Sequence, residues 1–334
     1  MKAMNVSTKP ILAVDLGGTK VAAAIVNPDG QILARKQEPT CQDGPKDGIA
    51  QITRLLHELL QEGKLQLAEI LCLGVGIPAV LEPETDFVLW APNLKGWREI
   101  ALRPALEKEL GLPVFLEYDG HAAVLGEWWV GSGRGFQSLV DVIIGTGIGG
   151  GMVLEGQLVR GRDRLAGAAG WFALTMEAGR QDSRAHALGF WESLAAGPGF
   201  VRYAQSQISS HPGSPLWQIS QAEPLTTVHI FQAARQGDPL AAQMMDQLAG
   251  WLGLGIANIV SLINPQIVIL GGGLGSQCDF LLPRIHQVVE QWAQPVSARS
   301  VKITSSQLGG EAGLLGAAYG AQIRWHEQDS PTRL

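Results

Sequence analysis

Residues 141–153 read DVIIGTGIGGGMV. Glycine takes five of the seven positions from Gly145 to Gly151, with β-type residues on both sides. A tight turn needs one or two glycines; five imply that something bulky and hydrogen-bonding lies against the backbone. Successive unobstructed N–H groups form an anion-binding concavity, and a Thr hydroxyl adds a donor. Gly145, Thr146, Gly147 and Gly149 are therefore candidate phosphate contacts. The stretch DLGGTKVAAAIVNPDGQIL (15–33) shares a layout with IGTGIGGGMVLEGQL (144–158): apolar strand, Gly-rich turn with Thr, apolar strand, Gly turn. The copies lie about 130 residues apart, too far for a solenoid-type repeat. They imply two related α/β domains, each offering a Gly-Thr hairpin to a shared cleft. Gly17, Gly18, Thr19 and Lys20 then join the phosphate set, and Asp15 is placed to hold Mg²⁺ through water. Either loop alone reads equally well as an ordinary hairpin; the matched pair argues for phosphate.

Gly145-Thr-Gly-Ile-Gly-Gly also fits G-x-G-x-x-G. A dinucleotide site would need a helix opening at the loop and an acidic residue about 20 positions on. MVLEGQLV follows instead, Leu165 sits near the acidic position with Asp163 close by, and that reading is set aside. No G-x-x-x-x-G-K-[ST] is present. GGGLGS (271–276) ends a strand of Ile, Val and Leu. Glycines there suit a ligand, so Gly271, Gly272 and Gly273 are candidates to lie against an adenosine, or simply a turn into a helix.

The chain around these loops has 334 residues, room for two domains, with 46% hydrophobic residues and a net charge of −6. No dense Lys/Arg block points to nucleic acid. No apolar run reads as a membrane span and no signal peptide is evident, so a cytoplasmic protein is expected. Cys41, Cys72 and Cys278 are far apart, and neither they nor the seven histidines show zinc-ligand spacing. Strands are expected in ILAVDLGGTKVAAAIVNPDGQILARK, turning at Asn27-Pro28-Asp29-Gly30. DGIAQITRLLHELLQEGK puts Ile49, Ile52, Leu55, Leu56, Leu59 and Leu60 on one helical face. VFLEYDGHAAVLGEWW is a strand that turns into a helix at Asp119; 239–263 is helical with a long apolar face; and GLLGAAYGAQIRW is a small-residue helix.

Taken together, DLGGTK, GIPAV, APNLKGW, EYDGHAAVLGE, IGTGIGGG, LINPQIVILGGG and EAGLLGAAYGA, in this order across nearly the whole chain, resemble the ROK family (repressors, open reading frames, sugar kinases). The resemblance implies an α/β, two-domain actin-like ATPase (ribonuclease H-like) fold of the sugar kinase/hexokinase type. It implies ATP and Mg²⁺ as cofactors and phosphorylation of a sugar hydroxyl. Asp119 falls at the family's catalytic aspartate, the general base that takes the hydroxyl proton as the oxygen attacks the γ-phosphorus. By its position alone Asp119 is a helix N-cap, and the two roles are compatible. The family's repressor branch carries a helix-turn-helix; with the first core strand near Pro10, no DNA-binding domain is expected.

The pattern breaks after the second glycine loop. Where many members have Glu-x-Gly-His, contacting sugar and zinc, this chain has Ala168-Ala169-Gly170-Trp171. The three-cysteine zinc segment reads MEAGRQDSRAHALGFWE (176–192), with Phe190 at the last cysteine and Glu192 at the terminal Glu. No zinc is expected, with Trp171 and Phe190 as an apolar plug in its place. Tyr118 replaces the Asn before the catalytic Asp, and Ala79 replaces a glycine after Pro78. Pro78, Asn93, Asp119 and Glu192 remain as sugar-side candidates, though Asn93 also fits a turn and Glu192 an exposed helix carboxylate. The expected function is ATP-dependent phosphorylation of a hexose, glucose first. The alternatives are another sugar or amino sugar as acceptor, or a non-catalytic nucleotide- or sugar-binding regulator. The expected domains are 1–118 plus about 305–334, and 119–304, in a homo-oligomer (dimer or tetramer) with part of its ten tryptophans at an interface.

Overall fold

The computed structural model describes residues 8–175, 185 and 188–329. Its strands are β1 (Ile11–Leu16), β2 (Lys20–Val26), β3 (Ile32–Pro39), β4 (Leu73–Ile77), β5 (Val80–Leu81), β6 (Val88–Trp90), β7 (Arg98–Ile100), β8 (Val114–Tyr118), β9 (Leu139–Ile144), β10 (Ile148–Leu154), β11 (Gln157–Leu158), β12 (Ile267–Gly271) and β13 (Lys302–Ser305). The helices used below are α1 (Pro45–Gly63), α2 (Leu102–Leu110), α3 (Asp119–Val130), α4 (Phe190–Ala195), α5 (Pro239–Ile263), α6 (Leu282–Trp292) and α7 (Ala312–Asp329).

The chain divides into two compact units. The first takes residues up to Gly135, 151–166 and the chain from Gly310 on; the second takes 136–150 and 167–309. The expected boundary at 118/119 differs from this division: α3 and residues 151–166 go with the first unit, and the C-terminal return begins at Gly310 rather than near 305. The small-residue pattern of α7 explains where α3 goes. A side chain on Gly316 would run into the Ala122 carbonyl, and one on Gly126 into that of Ala312, so the two helix backbones lie too close for larger residues.

In the first unit the sheet order is β3-β2-β1-β4-β8. β1 pairs antiparallel with β2 and parallel with β4, and β4 pairs parallel with β8. One register row runs Asp15–Gly76–Glu117, so Leu16, Ile77 and Tyr118 end their strands side by side. The apolar face predicted for α1 is buried at Ile52, Leu55, Leu56, Leu59 and Leu60. The Asn27-Pro28-Asp29-Gly30 turn forms, with Asn27 Oδ1 accepting the N–H groups of Asp29 and Gln31.

The second sheet runs β11-β10-β9-β12-β13, with β9, β12 and β13 parallel. It repeats the strand order of the first, which is the architectural counterpart of the internal echo in the sequence. The division between units falls inside β10, at Gly150/Gly151. Helix α5 corrects one expectation. At 25 residues it is long and apolar enough to cross a bilayer, and it is the one such helix among the described residues. Half of its most apolar window is buried inside the protein, and it packs along α6, so core packing accounts for its composition.

Candidate active site

The first group of predicted residues gathers at the carboxyl ends of β1, β4 and β8. Asp15 lies one residue from the end of β1, Pro78 directly follows β4, and Asp119 directly follows β8. Parallel strands in register deliver their ends together, and this is where α/β folds collect ligand groups. The loop between β1 and β2 closes with the Gly17 N–H on the Lys20 carbonyl at 2.9 Å. Its carbonyls are tied back: Thr40 Oγ1 donates to Gly17 O, the Thr40 N–H to Thr19 O, and Gln42 to Gly18 O. Among the described residues the N–H groups of Gly18 and Thr19 meet no acceptor. The loop therefore leaves two donors uncommitted, as an anion site requires.

Asn93 sits against this loop by its backbone. A Cβ on Gly18 would lie 2.7 Å from the Asn93 carbonyl oxygen, so Gly18 is fixed by a neighbouring chain segment as well as by any ligand.

The Asp15 carboxylate lies against Gly313 and accepts no hydrogen bond among the described residues. Desolvation holds its pKa above the ordinary value, against the charges of Lys20 and Arg35. Asp119 opens α3, with Tyr118 at the cap position, one residue earlier than the expected cap. Its Oδ1 accepts the Gly120 N–H at 2.8 Å. Desolvation and then the charge of Asp15 push Asp119 up to about 6, against the Gly120 N–H and His121. A carboxylate with a raised pKa at a strand end is suited to take a proton near neutral pH.

The second group gathers at the carboxyl ends of β9 and β12. Gly145–Gly147 follow β9, and Gly272 and Gly273 follow Gly271, the last residue of β12. The Gly145 N–H closes on Gly147 O at 2.9 Å, and Gly197 N–H holds Gly145 O at 2.8 Å. Among the described residues the N–H groups of Thr146 and Gly147 meet no acceptor, matching Gly18 and Thr19 in the first loop. Gly272 has φ +78 and opens a short helical turn to Gly275, so the turn into a helix is present and its start is glycine-lined.

The glycine run itself has more than one cause. A Cβ on Gly147 would lie 2.6 Å from Glu192 Oε2, and one on Gly151 would lie 2.5 Å from the Gly120 carbonyl oxygen. One on Gly150 would meet the Asp141 carbonyl. Gly145 has open space. Three of the five glycines thus admit the protein's own chain, which corrects the expectation that a ligand explains them all.

Glu192, in α4, is half-buried, and its Oε2 accepts the Ile148 N–H at 2.8 Å. Burial raises its pKa, with the Ile148 N–H opposing. It is neither a free surface carboxylate nor committed wholly to a ligand. The apolar plug is also corrected. Phe190 is buried, but Trp171 is 59% exposed. The packed aromatic pair is Phe172 on Trp191, stacked at 5.9 Å, with Trp191 fully buried and its Nε1 donating to the Trp251 carbonyl at 3.0 Å. Most of the zinc-segment positions, 176–184 and 186–187, lie outside the described residues.

One cluster escaped the sequence reading. Asp86, fully buried at φ +59, takes ion pairs from Arg103, Arg164 and Arg324. Beside it, Glu117 takes Arg160 at 2.7 Å and His121 at 3.2 Å. Burial alone would raise Glu117, but His121 and Arg160 outweigh it and hold the carboxyl at about 2. Glu117 and His121 flank Asp119 inside EYDGHA, a legible hint; Asp86 sits in a stretch with no motif.

Two sheets of one strand order, each with a glycine turn after its first strand, define an α/β fold of the actin-like ATPase, sugar-kinase type. The chain belongs to the ROK family, whose model matches residues 11–323. It is 34% identical to the glucokinase of Streptomyces coelicolor over 92% of this chain and 96% of that one. Among solved structures it is similar to a ROK family glucokinase from Streptomyces griseus in complex with glucose and AMPPNP, at 31% identity and a TM-score of 0.78, covering 94% and 99% of the two chains. It is also similar to a ROK family transcriptional regulator, a homologue of the E. coli MLC protein, at 26% identity and a TM-score of 0.84, covering 96% of this chain and 80% of that one.

Proposed function

We propose that this chain, a sugar kinase of the ROK family, transfers the γ-phosphoryl group of ATP to a hexose hydroxyl, with glucose the leading acceptor and Asp119 the general base. The observation that carries the reading is Asp119 at the end of β8, with its carboxyl held up to about 6 beside Asp15. In the reaction, the sugar hydroxyl gives its proton to Asp119 while its oxygen bonds to the γ-phosphorus. The bond from that phosphorus to the β–γ bridging oxygen breaks and ADP leaves. The N–H groups of Gly18, Thr19, Thr146 and Gly147 supply donors for phosphate oxygens.

Mg²⁺ fits this residue set. Asp15 offers a desolvated carboxylate without a hydrogen bond among the described residues, and its charge adds to the burden on Asp119. A cation held there through water would neutralise phosphate charge. Asp15 is the residue to hold it, although no group of three acidic, His or Cys side chains occurs among the described residues. Pro78, Asn93 and Glu192 remain the sugar-side set, with Glu192 shared between that role and the glycine loop. A cytoplasmic homo-oligomer acting on small soluble substrates is the setting this reading implies.

The second reading is a sugar- or nucleotide-binding regulator with little turnover. It is favoured by Ala168-Ala169-Gly170-Trp171 in place of the sugar-contacting element and by the likeness to a ROK transcriptional regulator. Coupled ADP release with Mg-ATP, run over glucose, mannose, fructose, N-acetylmannosamine and N-acetylglucosamine, separates the two. Turnover on one sugar that collapses in Asp119→Asn supports the kinase. Silence on all five, with ATP still bound by calorimetry, favours the regulator.

A further inference from the structure

His121 is fully buried two residues after Asp119, yet it holds no part in the proposed proton transfer. Its Nδ1 lies 3.2 Å from Glu117 Oε1, and its Nε2 lies 2.9 Å from the Ala166 carbonyl oxygen. A carbonyl and an ionised carboxylate both only accept hydrogen bonds, so the ring meets an acceptor at each of its nitrogens. Glu117 is gripped at its other oxygen by Arg160, whose Nε and Nη2 lie 3.2 and 2.7 Å from Oε2. Arg160 and Ala166 belong to the loop that follows β11, and its Arg164 pairs with the buried Asp86. Asp86 in turn receives Arg324 from α7, which also donates to the Leu116 carbonyl of β8 at 2.9 Å. Residues 160–166 are therefore fastened at two points to the strand and helix that carry Asp119, and at a third to Asp86, which Arg324 ties to β8. The groups facing His121 are Glu117, the Ala166 carbonyl and, edge-on at 5.2 Å, the Tyr118 ring.

We propose that His121 is a positioning residue for the phosphoryl transfer: held between the Glu117 carboxylate and the Ala166 carbonyl, it locks the first turn of α3 to the 160–166 loop and so fixes where the Asp119 carboxylate points. The inference rests on the kinase reading for its catalytic consequence. Its structural content, the lock between two segments, stands on the hydrogen bonds alone. Orientation is where such a lock acts, because a base misplaced by a fraction of an ångström still sits in a site that binds both substrates. Loss of the lock should lower kcat and leave the KM values close to their starting point.

The test uses the full chain with His121→Ala, His121→Gln and Arg160→Ala. Two readouts are taken: ADP release with glucose and Mg-ATP, and amide hydrogen exchange over residues 119–123 and 160–166. The expected result is a kcat lower by on the order of tenfold in His121→Ala, with each KM within about threefold, and faster exchange in both segments. His121→Gln, whose amide donates to one of the two acceptors, should recover part of both. Arg160→Ala should speed exchange in the loop without opening a hole beneath α3, and carries the test if His121→Ala does not fold. Unchanged exchange in both segments, or a folded His121→Ala with undiminished kcat, overturns the proposal. So does a loss of rate that follows melting temperature and is not recovered by glutamine. A wild-type chain silent on every sugar overturns the kinase reading instead, and the exchange data then decide the lock.

Discussion

The Glu192 carboxylate accepts the Ile148 N–H at 2.8 Å, at the point where the second glycine loop becomes β10. A charge-assisted hydrogen bond of this kind contributes about 1.5–3 kcal/mol. Glu192→Ala should therefore lower kcat/KM for both substrates by roughly tenfold or more, because the loop loses its brace. Glu192→Gln keeps an acceptor and should lose less. Steady-state kinetics with each substrate varied in turn check this; a loss confined to the sugar KM would show that Glu192 acts on the sugar alone.

The role proposed for Asp119 predicts a pH dependence of the reaction. A general base works deprotonated, and its carboxyl is held at about 6. As pH falls through that value, kcat/KM should drop by about tenfold per pH unit. The same group works against stability. In the unfolded chain it ionises near 3.8, so as pH rises from there through about 6 the folded state alone retains the proton and stability declines. Asp119→Asn should thus lose on the order of 10²-fold or more in rate while melting higher than the wild type at neutral pH. Rate profiles and thermal melts of both proteins test the pair.

Asp86 should be among the most sensitive structural positions. Its removal leaves Arg103, Arg164 and Arg324 facing one another around an empty buried point. Breaking a buried charge cluster costs about 3–5 kcal/mol. Asp86→Asn keeps the shape and the left-handed backbone preference, so its cost isolates the charge. Chemical unfolding of Asp86→Asn and Asp86→Ala measures both parts.

Gly255 in α5 is filled by its neighbour. A side chain there would collide with the Trp191 indole, which is fully buried. Gly255→Ala should destabilise by about 1–3 kcal/mol through overpacking, against the usual gain from replacing a helical glycine. Trp191→Phe in the same chain should relieve it. Thermal melts of the single and double variants provide the cycle.

How much of this was legible in the residues divides along the range of the forces involved. The strands, the α1 face, the turn at Gly30 and the glycine loops are local: alternation, helical spacing and backbone sterics write them into a few consecutive residues. The duplication was legible because two stretches share one layout, and both sheets then take one strand order. Asp119 was legible as a carboxylate between a strand and a helix. Long-range contacts were not. Nothing local told that Gly147 and Gly151 make room for Glu192 and for the backbone of α3, that Trp171 faces solvent while Trp191 is buried, or that α5 is apolar because it lies in a core.

The sequence by itself determined the elements, their repeated order and the chemistry within reach: two glycine loops, Asp15 and Asp119. Tertiary structure decided what those groups experience. Register between parallel strands brings Asp15 and Asp119 to one edge of the first sheet, where desolvation and Asp15 together raise the Asp119 carboxyl. Segments far apart in the chain bring Arg160, Arg164 and Arg324 onto Glu117 and Asp86. Desolvation and charge depend on distance in space, which spacing along a chain does not encode.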